Sequence, residues 1–251
     1  MTGKAEKASV PVSRLSAFQI HKSFAAREVV GGVDLHIRRG EVVGLLGASG
    51  SGKSTIFNAI AGLLRPDEGR ILLDSRDITR AGIDARARLG IGYVPQAPTL
   101  FGKLTAEENL RIAIEASGVA GAAVEPFLDT MCKAFNVEAF RTTRLANLSG
   151  GQRKWIEIAF AMCGKPRFLL LDEPFAGLDP IATGRLSAFV VRLSRLGIGI
   201  LLTDHNVRNA LRLVERAYVI DTGMIIASGN ASDIASHGEV RSVFLGDNFT
   251  L

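Results

Sequence analysis

Nine consecutive residues, Gly47-Ala48-Ser49-Gly50-Ser51-Gly52-Lys53-Ser54-Thr55, have the types and spacing that grip an anion. Gly47, Gly52, Lys53 and Ser54 fit the pattern G-x-x-x-x-G-K-[ST]. Glycines let the backbone curl until several N–H groups point at one centre. A helix starting there adds a partial positive charge. Lys53 supplies a full charge for β- and γ-phosphates, and the Ser54 hydroxyl can ligate Mg²⁺. The ligand class is a nucleoside triphosphate.

Three further groups have the right chemistry for that ligand. Asp172-Glu173 closes the apolar run Phe168-Leu169-Leu170-Leu171. Asp172 can hold Mg²⁺ opposite Ser54, and Glu173 can orient a water and accept its proton. His205 follows Asp204 at the end of a second apolar run and can donate to a γ-phosphate oxygen. Gln96, after Pro95, offers both a donor and an acceptor to the metal, the water or a moving loop. The segment Leu148-Ser149-Gly150-Gly151-Gln152 repeats the cradle design with a hydroxyl, two glycines and a helix start. One ligand does not need two cradles in one chain. Ser149, Gly150, Gly151 and Gln152 are therefore expected to serve the nucleotide of a neighbouring chain.

The elements that must position these groups follow from periodicity. Glu41–Leu46 reads as a buried strand and Ile56–Leu64 as a helix, so the phosphate loop joins strand to helix. Arg14–Ile37 is strand-like, with Gly31-Gly32 expected as a turn. Pro66–Gly69 reads as a turn, Arg70–Asp74 as a strand and Ile91–Gln96 as a strand. Thr105 with Glu108 forms a capping box ahead of a helix. Helices are expected over Ala106–Ser117, Val124–Phe135, Gln152–Ala161 and Ile181–Leu196. Ala217–Asp221 and Met224–Ala227 flank Thr222-Gly223 as a hairpin. Buried strands alternating with helices imply a parallel sheet covered on both faces. Ligands of such sheets bind beyond the carboxyl ends of the strands, where the phosphate loop, Asp172-Glu173 and Asp204-His205 all fall.

Composition sets the limits. The chain has 251 residues, 47% apolar and 22% charged, enough for one large domain with a full core. Residues 1–13 read as a flexible arm and 14–251 as one domain. Within it, a helical subdomain is expected at about 97–163 and a tail at about 230–251. The net charge of +5 is mild for this length. Cys132 and Cys163 sit among apolar neighbours without metal spacing, as free thiols in a reducing compartment. No apolar stretch approaches the ~18 residues of a membrane span, and the first residues lack an apolar signal core.

The phosphate loop, Gln96, LSGGQ, FLLLDEP, Gly177-Leu178-Asp179 and His205 occur in the order and spacing of ABC ATP-binding subunits, which the chain resembles from about Leu15 onward. The resemblance implies an α/β P-loop NTPase of ABC type. Such a fold has a mixed sheet core, a helical subdomain and an antiparallel β subdomain. It implies an ATPase acting as a head-to-tail homodimer, each ATP and Mg²⁺ lying between one phosphate loop and the other subunit's Ser149 and Gly151. Asp179 would lie at the seam. Phe24 would stack on adenine, where the family more often has Tyr. Phe101 would line a groove that receives a coupling helix of transmembrane transporter subunits. The implied location is cytoplasmic, peripheral on the inner face of the cell membrane. The short interval from Gln96 to Leu148 and the absence of heptads or Cys clusters argue against nucleic-acid ABC ATPases.

A narrower similarity is to the ATP-binding subunits of lipopolysaccharide export. It is carried by Ala87–Gln96, Pro174–Ile181, Thr203–Arg208 and the ending Val243–Leu251. Branched-chain amino acid import subunits share the size and a Leu-Gly tail. The chain departs from the export branch at GASGSGKST, at Gly102 where a basic residue is usual, at Trp155 and in its longer arm.

Overall fold

In the computed structural model the described residues are 13–25, 27–246 and 250. The expected arm, apart from Ser13, and residues 247–249 and 251 of the expected tail lie outside them.

Two sheets share the work. The chain begins with strands β1 (Arg14–Phe24) and β2 (Arg27–Arg38), followed by β3 (Val42–Leu46) and helix α1 (Lys53–Ala61). Next come β4 (Glu68–Leu73), β5 (Arg76–Asp77), a short helix α2 (Ile83–Arg88) and β6 (Ile91–Val94). Strands β2-β1-β4-β5 form an antiparallel sheet. The chain is then helical through α3 (Ala106–Ala116), α4 (Val124–Ala134) and α5 (Gly150–Cys163). It returns through β7 (Phe168–Leu171), α6 (Pro180–Arg195), β8 (Gly199–Asp204), α7 (Val207–Ala210), β9 (Arg216–Asp221) and β10 (Met224–Asn230). The second sheet runs β10-β9-β3-β8-β7-β6, parallel except for β10. Short helices around Ala231–Ser236 follow the last strand.

Every residue of β3, β7 and β8 is buried, as central strands covered on both faces require. One core layer gathers Val43, Leu45, Phe57, Ile60 and Phe168 between the two sheets. The other gathers Leu110, Ile114, Leu128, Ile156 and Val190 under the helices. Phe57 is sealed completely, and truncating such a ring costs about 3–5 kcal/mol. The register pairs Leu46 with Asp204, Leu202 with Leu171, and Leu171 with Val94. Four carboxyl ends therefore meet on one edge, where their side chains can converge.

The α3 start carries the expected capping box. The Thr105 hydroxyl accepts from the Glu108 N–H, and the Glu108 carboxylate accepts from the Thr105 N–H at 2.7 Å. Gly31-Gly32 corrects an expectation: it is not a turn. The chain reverses at Ala25, and β2 runs unbroken to Arg38. Between the pairs Ile20–Val33 and Lys22–Val30, residues 31 and 32 both lie opposite His21, a bulge with Gly32 at φ 72°. Gly31 N–H donates to Gly223 O at 3.0 Å, tying the two sheets together. A glycine pair in a strand run signals close backbone approach as well as reversal. The helix α2 was not legible, being only six residues long.

Candidate functional site

The phosphate loop leaves β3 and enters α1. Gly52, at φ 106°, is the N-cap of α1 and supplies no side-chain cap, so the first N–H groups of the helix stay open. A Cβ at Gly47 would lie 2.1 Å from Ile220 O, so only glycine fits. Lys53 is 4% exposed. Its ammonium folds back on the loop, donating to Gly47 O at 2.8 Å and Ala48 O at 2.7 Å. Ser54 and Ser49 face solvent.

The neighbouring strand ends form a hydrogen-bonded chain. Thr203 Oγ1 donates to Asp172 Oδ1 at 2.6 Å and accepts from the Glu173 N–H at 2.8 Å. Gln96 Nε2 donates to Glu173 Oε2 at 2.9 Å, and His205 Nδ1 lies 3.6 Å from the same oxygen. Glu173 has φ 44°, an uncommon backbone for a non-glycine residue, in a loop held by Thr203. The structure thus brings the phosphate loop, Gln96, Asp172, Glu173 and His205 to one edge.

Burial dominates the electrostatics. It pulls the Lys53 ammonium below the ordinary lysine range, while the carboxylates of Glu173, Asp172 and Asp204 oppose that shift. Burial raises Asp172, with the Thr203 hydrogen bond working against it and Glu173 adding to it. Asp204 is likewise raised by burial. A cation belongs among such acids. Among the described residues, no three His, Cys, Asp or Glu side chains form a stand-alone metal cage. Ser54, Asp172 and Gln96 offer oxygens only, a hard donor set that fits Mg²⁺ completed by phosphate oxygens and water.

The second cradle lies elsewhere. Ser149 caps α5: its Oγ accepts from the Gln152 N–H at 3.2 Å, and Gln152 Oε1 accepts from the Ser149 N–H at 2.9 Å. Gly150 has no neighbour within reach of a Cβ. Asp179 caps α6 through the Ala182 N–H at 2.9 Å, with Pro180 in the first turn. Ser149, Gly151, Gln152 and Asp179 line one open cleft of about 740 Å³, which no phosphate-loop residue lines. Trp155 lines it too, edge-on to Phe189 with ring centroids 4.9 Å apart.

Phe24 and Phe101 are exposed aromatic side chains that do not line the second cleft. Phe24 is 49% exposed at the end of β1, with Lys22 Nζ 5.6 Å from its ring centroid. Phe101 is 53% exposed. Its backbone is clamped by buried Asn109, whose side chain accepts from Phe101 N–H at 3.0 Å and donates to Phe101 O at 3.1 Å. Sequence reasoning missed Thr203 and Asn109. Thr203 could have been found as the one hydroxyl in an apolar strand ending at Asp204-His205.

Comparison with known proteins places this arrangement. The family model described as ABC transporter matches residues 30–176, more than half of the chain. An uncharacterized ABC transporter ATP-binding protein of Rhizobium meliloti is 45% identical over 94% of this chain and 88% of its own. The lipopolysaccharide export system ATP-binding protein LptB of Acidithiobacillus ferridurans is 41% identical over 94% of this chain and 98% of its own. LptB of Escherichia coli K12 is 39% identical over 96% and 100%. Among solved structures, the ADP conformation of MJ1267, an ATP-binding cassette of an ABC transporter, superposes with TM-score 0.83 at 27% identity. That match covers 94% of this chain and 99% of that one. The dimeric structure of MJ0796, a bacterial ABC transporter cassette, gives 0.79 at 25% identity over 86% and 98%. In sequence and in fold, this chain belongs to the ABC transporter ATP-binding family.

Proposed function

We propose that this chain is the ATP-hydrolysing motor subunit of an ABC transporter that exports lipopolysaccharide, working as a head-to-tail dimer. The observation that carries the reading is the split between two clusters. A phosphate loop with its acids lies on one edge, and a glycine-rich helix start lies in a separate cleft. Two copies facing each other would place Ser149 and Gly151 of one against the γ-phosphate held by the other. The dimeric MJ0796 cassette supports that assembly. The cargo reading is supported by relatives named LptB at 39–41% identity over nearly the whole chain. Amino acid import, raised by the size and the Leu-Gly tail, is not favoured by those relatives.

In this mechanism the ATP phosphates enter the loop, and Lys53 exchanges the carbonyls of Gly47 and Ala48 for β- and γ-phosphate oxygens. Ser54, Asp172 and Gln96 would hold Mg²⁺, which supplies charge neutralisation of the phosphates when bound. Glu173 Oε2 accepts a proton as water attacks the γ-phosphorus. The bond to the β–γ bridging oxygen breaks, giving ADP and inorganic phosphate. His205 donates to a γ-phosphate oxygen and, with Gln96, orients Glu173. Phe24 stacks on adenine. Closure and reopening of the dimer move a coupling helix seated beside Phe101. Among the described residues no helix is long and apolar enough to cross a membrane. The relatives named as export-system ATP-binding proteins support a membrane path made by partner subunits, on whose cytoplasmic face this chain would sit.

The test is to tag the Glu173→Gln protein, purify it with ATP from detergent-solubilised membranes and identify what accompanies it. Partners with few membrane helices and large extracytoplasmic domains are expected. A many-helix permease would move the cargo to amino acids, and an intact dimer without a membrane partner would remove the transport role.

A further inference from the structure

Arg86 of α2 is the largest fully buried side chain among the described residues, at 1% exposure. Among the described residues it makes no ion pair. All five guanidinium N–H donors go to backbone carbonyls instead. Nη1 donates to Ala59 O and Ile60 O, both at 2.6 Å. Nη2 donates to Ile78 O at 2.9 Å and Thr79 O at 3.1 Å, and Nε donates to Ala81 O at 2.9 Å. Burial lowers its pKa to about 10, so it stays charged at neutral pH. Burying a charge without a carboxylate is costly, and an apolar side chain would have filled the space. What only this group does is join those five acceptors.

The acceptors belong to two bodies. Ala59 and Ile60 are in the last turn of α1, where helix carbonyls carry partial negative charge; Ala59 O also accepts from the Gly62 N–H at 3.3 Å. Ile78, Thr79 and Ala81 follow β5, the edge of the antiparallel sheet. The other end of α1 holds Lys53 and the phosphate loop, and β1 of the antiparallel sheet holds Phe24. Gly62, at φ 86°, leaves the room required: a Cβ there would lie 3.0 Å from Arg86 Cδ and Nε.

We infer that Arg86 is a positioning residue that locks the antiparallel sheet to the phosphate helix, so that one nucleotide can engage Phe24 and the phosphate loop together. This rests on the nucleotide reading above. Without the fork the phosphate loop keeps its own hydrogen bonds and the shared core still packs α1 on the sheet, but the polar link that fixes the offset of the base-binding surface is lost and that surface loosens. Arg86→Lys keeps the charge and loses the planar fork.

The experiment titrates the full chain with ATP and with inorganic tripolyphosphate by calorimetry, well below each variant's melting temperature. In Arg86→Lys the ATP affinity is expected to fall about tenfold, the scale of one lost base–aromatic stack, while the tripolyphosphate affinity stays unchanged. Gly62→Ala, which crowds the guanidinium, should shift the same ratio in the same direction and serves if Arg86→Lys does not fold. An unchanged ATP-to-tripolyphosphate ratio in the folded variants, from affinities that hold or that fall together, would overturn the inference. A wild-type chain that binds ATP no better than tripolyphosphate would overturn the nucleotide reading itself, before any variant is compared.

Discussion

The two helix starts of this chain are built to opposite plans. At α1 the N-cap is Gly52, no side chain satisfies the first N–H groups, and Lys53 rests on loop carbonyls. At α5 the N-cap is Ser149, and a reciprocal capping box with Gln152 closes the end. The first start is unsatisfied until an anion arrives and has acids on the adjacent strand ends. The second is stable by itself, offering only the spare hydroxyl proton of Ser149 and the N–H groups of Gly150 and Gly151. An open terminus beside carboxylates suits binding and bond breaking. A self-capped terminus in an open cleft suits sensing a ligand already held by another copy.

That contrast can be broken or sharpened by substitution. Glu173→Gln should lower phosphate release about 10²–10⁴-fold while ATP binding, measured by calorimetry, is retained. Wild-type turnover would remove Glu173 from the reaction. Lys53→Met should weaken ATP binding about ten- to hundredfold, the worth of a lost charge-assisted hydrogen bond, with the fold intact by circular dichroism. Ser149→Ala should lower turnover about tenfold without changing nucleotide affinity of the isolated subunit. If the monomer's affinity falls as well, the two starts serve one site and the contrast fails. Gln152→Ala, which removes only the reciprocal half of the cap, should cost about 0.5–1 kcal/mol in denaturant unfolding.

What was legible in the sequence depended on contiguity. The phosphate loop, Asp172-Glu173 and Asp204-His205 each sit at the end of an apolar run, and parallel register carries such ends to one edge. Phe168–Leu171 and Gly199–Asp204 were readable as buried strands because both faces are covered. Groups that act through backbone partners left no pattern. Arg86 reaches Ala59 across 27 positions, and Asn109 clamps Phe101 from a helix face that otherwise reads as ordinary amphipathic sequence. Thr203 looked like a strand residue because it is one. Its hydroxyl matters only because Asp172 lies beside it. Gly31-Gly32 was read as reversal because glycine permits both turns and bulges, and only pairing across β1 and β2 decides between them.

Trp155 is the sole tryptophan of the chain and lies on the wall of the cleft beside Ser149. Its indole is half-buried against Phe189, which makes it a built-in optical probe. Any body that fills this cleft changes the polarity around a single emitter, so closure of the proposed assembly would be readable as a shift in intrinsic fluorescence, in an unlabelled protein and in real time.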